Sequence, residues 1–268
     1  MERISSRQNP RVGTLARLLR EKSERKALGC FVIEGCRECL RALEAGIRPL
    51  EYYVAPDLFC GAPPEKALLA RWETSGALGF ELSREAFEKA SGREGPDGFL
   101  MTAPRLDASL SALKDLPSSP LFLVLESVEK PGNLGALLRT ADAAGVSAVI
   151  CCNGGIDIHN PNVVRNSQGA LFSVPVACAT NEETAEFLAA HKAVFVYATP
   201  GADTVFWDAP LAGPTAVFMG SEKDGLTDFW LQRPGVPVRI PMAGGADSLN
   251  VSVAAALVLF EAVRQRRA

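Results

Sequence analysis

The chain reads as an α/β protein in two parts: a large parallel-sheet domain preceded by a small α/β layer domain. Three observations predict this. From Leu121 onward, apolar runs of about five residues alternate with helical patterns, the rhythm of strand–helix–strand units. Those runs, such as LFLVL, SAVIC and TAVFM, are nearly continuous rather than alternating, as in a parallel sheet covered on both faces. Between the two parts, PRLDASLSALKDLPSSP breaks the rhythm with a weak helix and a Pro-Ser-Ser-Pro stretch of linker composition. The 268 residues, 47% hydrophobic and 22% charged, suffice for one large or two smaller globular domains with a sizeable core. The reading divides the chain into a basic helical arm (1–28), a small domain (29–103), a linker (104–120) and the large domain (121–268).

In the first part, Asn9-Pro10 opens a helix whose apolar residues, Val12, Leu15, Leu18 and Leu19, recur at three- and four-residue spacing. A strand follows at 30–33, then a helix from about Cys36 to Ala45 closed by Gly46. A strand at 51–54, a helix over 65–72, a Ser83-capped helix reaching Lys89 and a strand at 98–102 complete it. In the second part, strands are expected at 121–125, 147–151, 174–178, 193–197, 215–219 and 236–240. Helices fall near 133–144, 162–170, 182–190 and 226–232, with a last one from about Ser248 to Gln265. There is no internal repeat and no low-complexity tract.

The composition excludes several classes. No apolar run reaches the ~20 residues of a membrane span, and MERISSRQNPRVG lacks an apolar signal core, so the expected setting is cytoplasmic. Seven irregularly spaced cysteines do not form a disulfide framework. Cys36-x-x-Cys39 lacks the further ligands a zinc site needs, because only His159 and His191 are present and neither accompanies a second CxxC. The pair reads instead as two residues one turn apart on the buried face of a helix. Net charge is −3, but residues 1–26 hold eight Lys and Arg against three Glu, a net +5, leaving −8 elsewhere. That arm suits local contact with phosphates or a plain solvated helix face.

Three strand–loop–helix junctions carry the chemistry. In the first, Asn133 and Arg139 lie six residues apart within GNLGALLRTADAAG, where Asn133 is a candidate cap and a helix N-terminus favours an anion. In the second, GSEKDGL follows the strand AVFMG, and two glycines bracket Glu222. In the third, Ser248 is a candidate cap and Asn250 projects from the first turn of a helix that is apolar nearly all round until Glu261. Each junction alone is accounted for by an ordinary βα unit. Together they put three loops at the edge of a parallel sheet where α/β folds bind ligands. No GxGxxG dinucleotide fingerprint occurs.

The conjunction resembles the three motifs of the SpoU, or TrmH-like, family of RNA ribose 2′-O-methyltransferases. The first reads Asn133-Leu-Gly135-Ala-Leu-Leu-Arg139-Thr-Ala141, the second GSEKDGL, with Lys223 where glycine is common, and the third IPMAGGADSLNVSVA. The resemblance runs from Leu121 to the C-terminus. FVIEGCRECLRAL and EGPDGFLMTA are similar to the start and end of the family's RNA-binding substrate domain. It implies a trefoil-knotted, SPOUT-type methyltransferase domain, S-adenosylmethionine as methyl donor, and a homodimer paired through the knot region with the last helix in the interface. It implies cofactor contacts at Met219, Gly220, Ile240, Met242 and Leu249, and a catalytic set of Asn133, Arg139, Glu222, Ser248 and Asn250, with no metal. Arg139 would orient hydroxyl and phosphate, since a guanidinium with pKa above about 12 rarely gives up its proton. The arm and substrate domain favour large-subunit (23S) ribosomal RNA over transfer RNA, with a possible antibiotic-resistance role. A non-catalytic RNA-binding ribosome-assembly factor on the same fold is the alternative from another class.

Overall fold

A computed structural model describes every residue except Gly154 and Ala268. In chain order the first elements are β1 (Glu2–Ile4), α1 (Pro10–Arg20), α2 (Lys22–Ala27), β2 (Cys30–Glu34), α3 (Cys36–Glu44), β3 (Glu51–Val54), α4 (Pro63–Glu73), β4 (Leu78–Leu82), α5 (Arg84–Ala90) and β5 (Phe99–Pro104). Then come β6 (Leu121–Glu126), α6 (Pro131–Ala144), β7 (Ala148–Cys152), α7 (Pro161–Ser167), α8 (Ala170–Ser173), β8 (Val176–Ala179), α9 (Asn181–Ala190) and β9 (Val194–Ala198). The last are β10 (Thr204–Val205), β11 (Thr215–Met219), α10 (Asp228–Leu231), β12 (Val236–Arg239) and α11 (Val251–Arg267). They form two compact units, one of Met1–Leu106 with Asp157–Phe172, the other of Asp107–Ile156 with Ser173–Ala268.

The first unit is built on a five-stranded sheet of order β1-β4-β3-β5-β2. Strands β1, β4 and β3 run parallel, and β5 is antiparallel to both β3 and β2. The expected apolar stripe of α1, Val12, Leu15, Leu18 and Leu19, is buried against Val32, Tyr53, Phe80 and Phe87. Asn9 caps that helix through Arg11 N (2.9 Å), and Ser83 caps α5 through Ala86 N (3.3 Å). Two strands of this unit escaped the sequence reading, as did the two-residue β10 in the second. In β4, LGFEL, a glycine interrupts the pattern because Tyr52, stacked on Trp72, lies across it: a Cβ at Gly79 would stand 2.3 Å from the tyrosine ring. In β1 only three residues pair, at the sheet edge.

The N-terminal residues are thus not a separate arm but part of the first sheet and its helix layer. Much of their charge is spent internally: Arg3 pairs with Glu81, Arg11 with Glu51, Arg17 with Glu24 and Arg25 with Asp157. The Arg25–Asp157 pair is one of the contacts that hold residues 157–172 in this unit, together with α7 packed on β2 and the His159 ring against Phe31. Arg25 is 2% exposed. It bonds Asp157 Oδ2 from two nitrogens (2.6 and 2.9 Å) and Leu18 O (2.5 Å). Burial alone would raise the Asp157 carboxyl, but hydrogen bonds from His159 and Arg25 and the Arg25 charge outweigh it and hold it well below the usual range. Beside it His159, 1% exposed, accepts from Leu106 N at 2.9 Å through Nε2. The large domain read as unbroken from residue 121 is therefore interrupted by a segment packed into the first unit.

Cys39 is fully buried in α3, with Sγ 3.5 Å from Ile33 O, and Cys36 is half-buried. Burial and nearby carboxylates push the Cys36 thiol up to about 11. Among the described residues no cluster of His, Cys, Asp or Glu could hold a metal ion.

The second unit holds a seven-stranded sheet of order β10-β12-β9-β11-β6-β7-β8, parallel at every pairing. One face packs Phe122, Val124, Ile150, Tyr197 and Phe218 against Leu188 of α9 and Trp230 of α10. By strand alternation the other face carries Leu123, Leu125, Val217 and Met219, and α6 and α11 pack together over it. Helix α11 buries Val251, Ala255, Val258, Leu259 and Ala262 but leaves Val253, Leu257 and Phe260 exposed at 48%, 40% and 48%. Among the described residues no helix is long and apolar enough to cross a membrane.

Candidate functional site

Because β6, β11, β9 and β12 are parallel neighbours, the loops that leave β6, β11 and β12 emerge at one edge of the sheet. These are the loops the sequence singles out. The first leads from Glu126 into α6, which starts at Pro131, with Lys130 at the cap position and no side-chain cap. Asn133 is therefore not the cap. It lies in the first turn of α6, leaving its amide free to reach outward.

The second loop, 220–226, closes on itself. Ser221 and Gly225 exchange backbone hydrogen bonds (3.0 and 3.1 Å), and Asp224 N donates to Ser221 Oγ at 2.9 Å. That closure explains Gly220, where a Cβ would stand 2.1 Å from the Gly225 carbonyl carbon. Glu222 is left at the tip. The third loop reaches α11 with Asn250, not Ser248, as the capping residue. Asn250 Oδ1 accepts from Ser252 N (3.0 Å) and Ser252 Oγ (2.6 Å), and its carbonyl accepts from Val253 and Ala254 (both 3.0 Å). The helix begins at Val251, three residues later than its sequence pattern indicates.

At this edge four side chains from three loops far apart in sequence meet. Asn133 Nδ2 donates to Glu222 Oε1, Lys130 Nζ donates to Glu222 Oε2, and Asn250 Nδ2 donates to Asn133 Oδ1 at 3.3 Å. The Lys130 hydrogen bond, reinforced by Asn133 and the lysine charge, holds the Glu222 carboxyl below its ordinary value. The cluster is solvent-accessible, with the Lys130 side chain 70% and Glu222 35% exposed. Lys130 escaped the sequence reading, although as a cation three residues before a candidate site Asn it was visible there.

Not every expected residue joins. Arg139 lies six residues beyond Asn133 in α6, about 9 Å along the axis. It is exposed, and among the described residues no side-chain hydrogen bond or ion pair engages Arg139 or Ser248. Of the expected cofactor positions, Met219 is buried at the end of β11, Gly220, Ile240 and Leu249 are half-buried, and Met242 is 37% exposed. No backbone–backbone hydrogen bond among the described residues involves 241–249.

Known proteins bear on this geometry. The description "SpoU rRNA Methylase family" matches residues 120–260, and "MRM3-like substrate binding domain" matches 2–101. The chain belongs to the SpoU rRNA methylase family. A 23S rRNA (uridine(2479)-2′-O)-methyltransferase of Streptomyces viridochromogenes is 33% identical over 98% of this chain and 92% of its own length. The 23S rRNA (guanosine-2′-O-)-methyltransferase RlmB of Pectobacterium atrosepticum is 40% identical over 59% of this chain, which spans 65% of that relative's length. Among solved structures, an RNA 2′-O ribose methyltransferase superposes with a TM-score of 0.86 at 41% identity, covering 99% of this chain and 100% of the other. An AdoMet-bound rRNA methyltransferase from Sinorhizobium meliloti gives 0.87 at 27% identity, covering 98% and 97%.

Proposed function

We propose that this SpoU family member transfers a methyl group from S-adenosylmethionine to a ribose 2′-hydroxyl of RNA, with large-subunit ribosomal RNA as substrate. The observation that carries the reading is the hydrogen-bonded chain Asn250–Asn133–Glu222, which ties together the three loops at the ligand-binding edge of a parallel sheet. The substrate follows from the matched substrate-binding domain and from the rRNA methyltransferases that resemble the chain along its length.

The residues present fit the donor. Ile240, Leu249 and Met242 offer apolar surface, loop 241–249 offers main-chain donors and acceptors, and Gly220 keeps loop 220–226 tight. Bound there, S-adenosylmethionine supplies an electrophilic methyl group on a sulfonium. The protein's work is then positioning, because the ribose oxygen must lie in line with that methyl. Asn133 and Glu222 hold each other in one orientation and present amide and carboxylate groups to the sugar and the donor. Asn250 orders Asn133, and Ser248 completes the wall of the site. Arg139, outside this set and exposed, is free to swing onto the phosphate beside the target ribose and fix the hydroxyl. Arg139→Ala is expected to abolish methyl transfer while leaving S-adenosylmethionine binding by calorimetry nearly intact. Wild-type turnover in that variant would remove Arg139 from the mechanism.

Within this reading the first unit, with residues 29–103 as its centre and exposed cations at Arg7, Arg20 and Lys26, holds RNA, and the second transfers the methyl group. The loops around 220–226 and 240–250 form a trefoil knot, the setting is the cytoplasm, and the active form is a homodimer. The exposed stripe Val253, Leu257 and Phe260 on α11 supports the dimer, since apolar side chains at i, i+4 and i+7 make a helix face that a second copy can cover. Phe260→Asp with Leu257→Asp is expected to give a monomer in sedimentation. A double variant that stays dimeric contradicts this interface.

A further inference from the structure

Beneath the exposed cluster lies a second carboxylate to which no motif assigns a task. Glu126 is the last residue of β6 and is fully buried. Its Oε1 accepts from Asn181 Nδ2 (2.8 Å) and Thr227 Oγ1 (2.7 Å), and its Oε2 accepts from Thr227 N (2.7 Å). No ion pair among the described residues includes it. Neutral donors at the starts of α9, which begins with Asn181, and of α10, which Thr227 precedes, hold the charge where helix N-termini favour an anion.

The position of Glu126 gives these bonds a consequence. It opens the segment that carries Lys130 and Asn133, seven residues before Asn133. Thr227, its partner, is the first residue after loop 220–226, which carries Glu222. Met219, buried at the end of β11, fixes the near end of that loop, and the Ser221–Gly225 closure makes the loop one body. The Glu126–Thr227 bonds fix its far end. We propose that Glu126 is a positioning residue that sets the distance and angle at which Glu222 meets Asn133, and so acts on methyl transfer through Glu222. The inference rests on the reading of the loop cluster as the methyl-transfer site, but the geometric part is testable without it.

Glu126→Gln is nearly isosteric, yet on either side its amide nitrogen faces an N–H that can only donate, Asn181 Nδ2 or Thr227 N, so at least one of the three bonds loses its acceptor. The test is a double-mutant cycle on kcat/KM for RNA methylation with Glu126→Gln and Glu222→Ala. Expected is a loss of about 10- to 100-fold for Glu126→Gln alone, and almost no further loss when it is added to Glu222→Ala. Losses that multiply in the double variant would make Glu126 an ordinary structural residue and overturn the proposal. Thr227→Val, which removes one donor and keeps the fold's shape, is expected to lose about fivefold and to be non-additive with Glu222→Ala in the same way, with Thr227→Ser recovering most of that loss. It carries the cycle if Glu126→Gln does not fold. Amide exchange supplies a readout independent of activity. Ser221 and Gly225 N–H should exchange faster in Glu126→Gln or Thr227→Val while the β11 amides keep their protection. Unchanged exchange in the loop overturns the positioning claim, whereas changed exchange in a protein that methylates no RNA overturns only the proposed reaction.

Discussion

Two ion pairs, one in each unit, use the same chemistry for opposite ends. Arg25–Asp157 is sealed, with side chains 3% and 9% exposed, and is surrounded by further bonds to Leu18 and His159. Lys130–Glu222 stands in solvent with a lysine 70% exposed, and the second Glu222 oxygen takes an amide rather than a cation. A buried pair cannot lose a partner without stranding a charge, so it serves to fix a fold. An exposed pair contributes little to folding and can be remade when a ligand arrives. The difference teaches where each unit keeps its adaptability: the first spends its charges on holding a distant segment in place, and the second keeps them at a sheet edge.

Breaking the pairs one at a time sharpens this contrast. The largest effect expected is on chemistry. Glu222→Ala should lower RNA methylation by about 100- to 1,000-fold, the range for losing one preorganised polar group at a reacting centre, while its denaturant midpoint stays at the wild-type value. A shifted midpoint would mean that the exposed cluster also holds the fold. Next, Arg25→Met should cost about 3–5 kcal/mol of stability in denaturant unfolding and leave S-adenosylmethionine affinity unchanged.

The Arg25 variant also carries a pH signature. The Asp157 carboxyl is depressed in the folded protein, so its contribution is fully present above the unfolded value of about 3.9 and is lost as pH falls toward the folded value. Arg25→Met should therefore flatten the decline of stability below about pH 4, and an unchanged acid limb would mean that Arg25 does not set the Asp157 titration. The smallest effect is expected from Lys130→Met. Lys130 is the main cause of the lowered Glu222 carboxyl, so its loss should move the acid limb of the pH–rate profile upward. At pH 7, where Glu222 is ionised either way, activity should fall only about two- to fivefold, the scale of an exposed pair.

The α/β alternation, the core stripe of α1 and the three site loops were legible in the sequence, because each rests on local signals: apolar runs, caps and glycines. Asn133, Glu222 and Asn250 were readable as candidates, and the hydrogen bonds that join them required the sheet order. Asn133 and Ser248 were both plausible caps by residue type, yet the helices start at Pro131 and Val251. Pro131 enters a first turn with no amide hydrogen to satisfy, and Asn250 offers both the carbonyl and the side chain that a cap needs. The departure of 157–172 from its neighbours was not legible, since it depends in part on Arg25, in a short helix without an apolar stripe, finding Asp157 132 residues away. Strand β4 was hidden by the glycine that Tyr52 requires. Glu126 reads in sequence as the polar end of a strand, and only its three donors reveal it.

The most direct test is methyl transfer itself, with large-subunit ribosomal RNA, tritium-labelled S-adenosylmethionine and alkaline hydrolysis of the product. A methylated 2′-oxygen cannot attack the neighbouring phosphate. The account therefore predicts label in alkali-resistant dinucleotides with wild-type protein and almost none with Glu222→Ala. Label in single nucleotides, or equal labelling by both proteins, would contradict it.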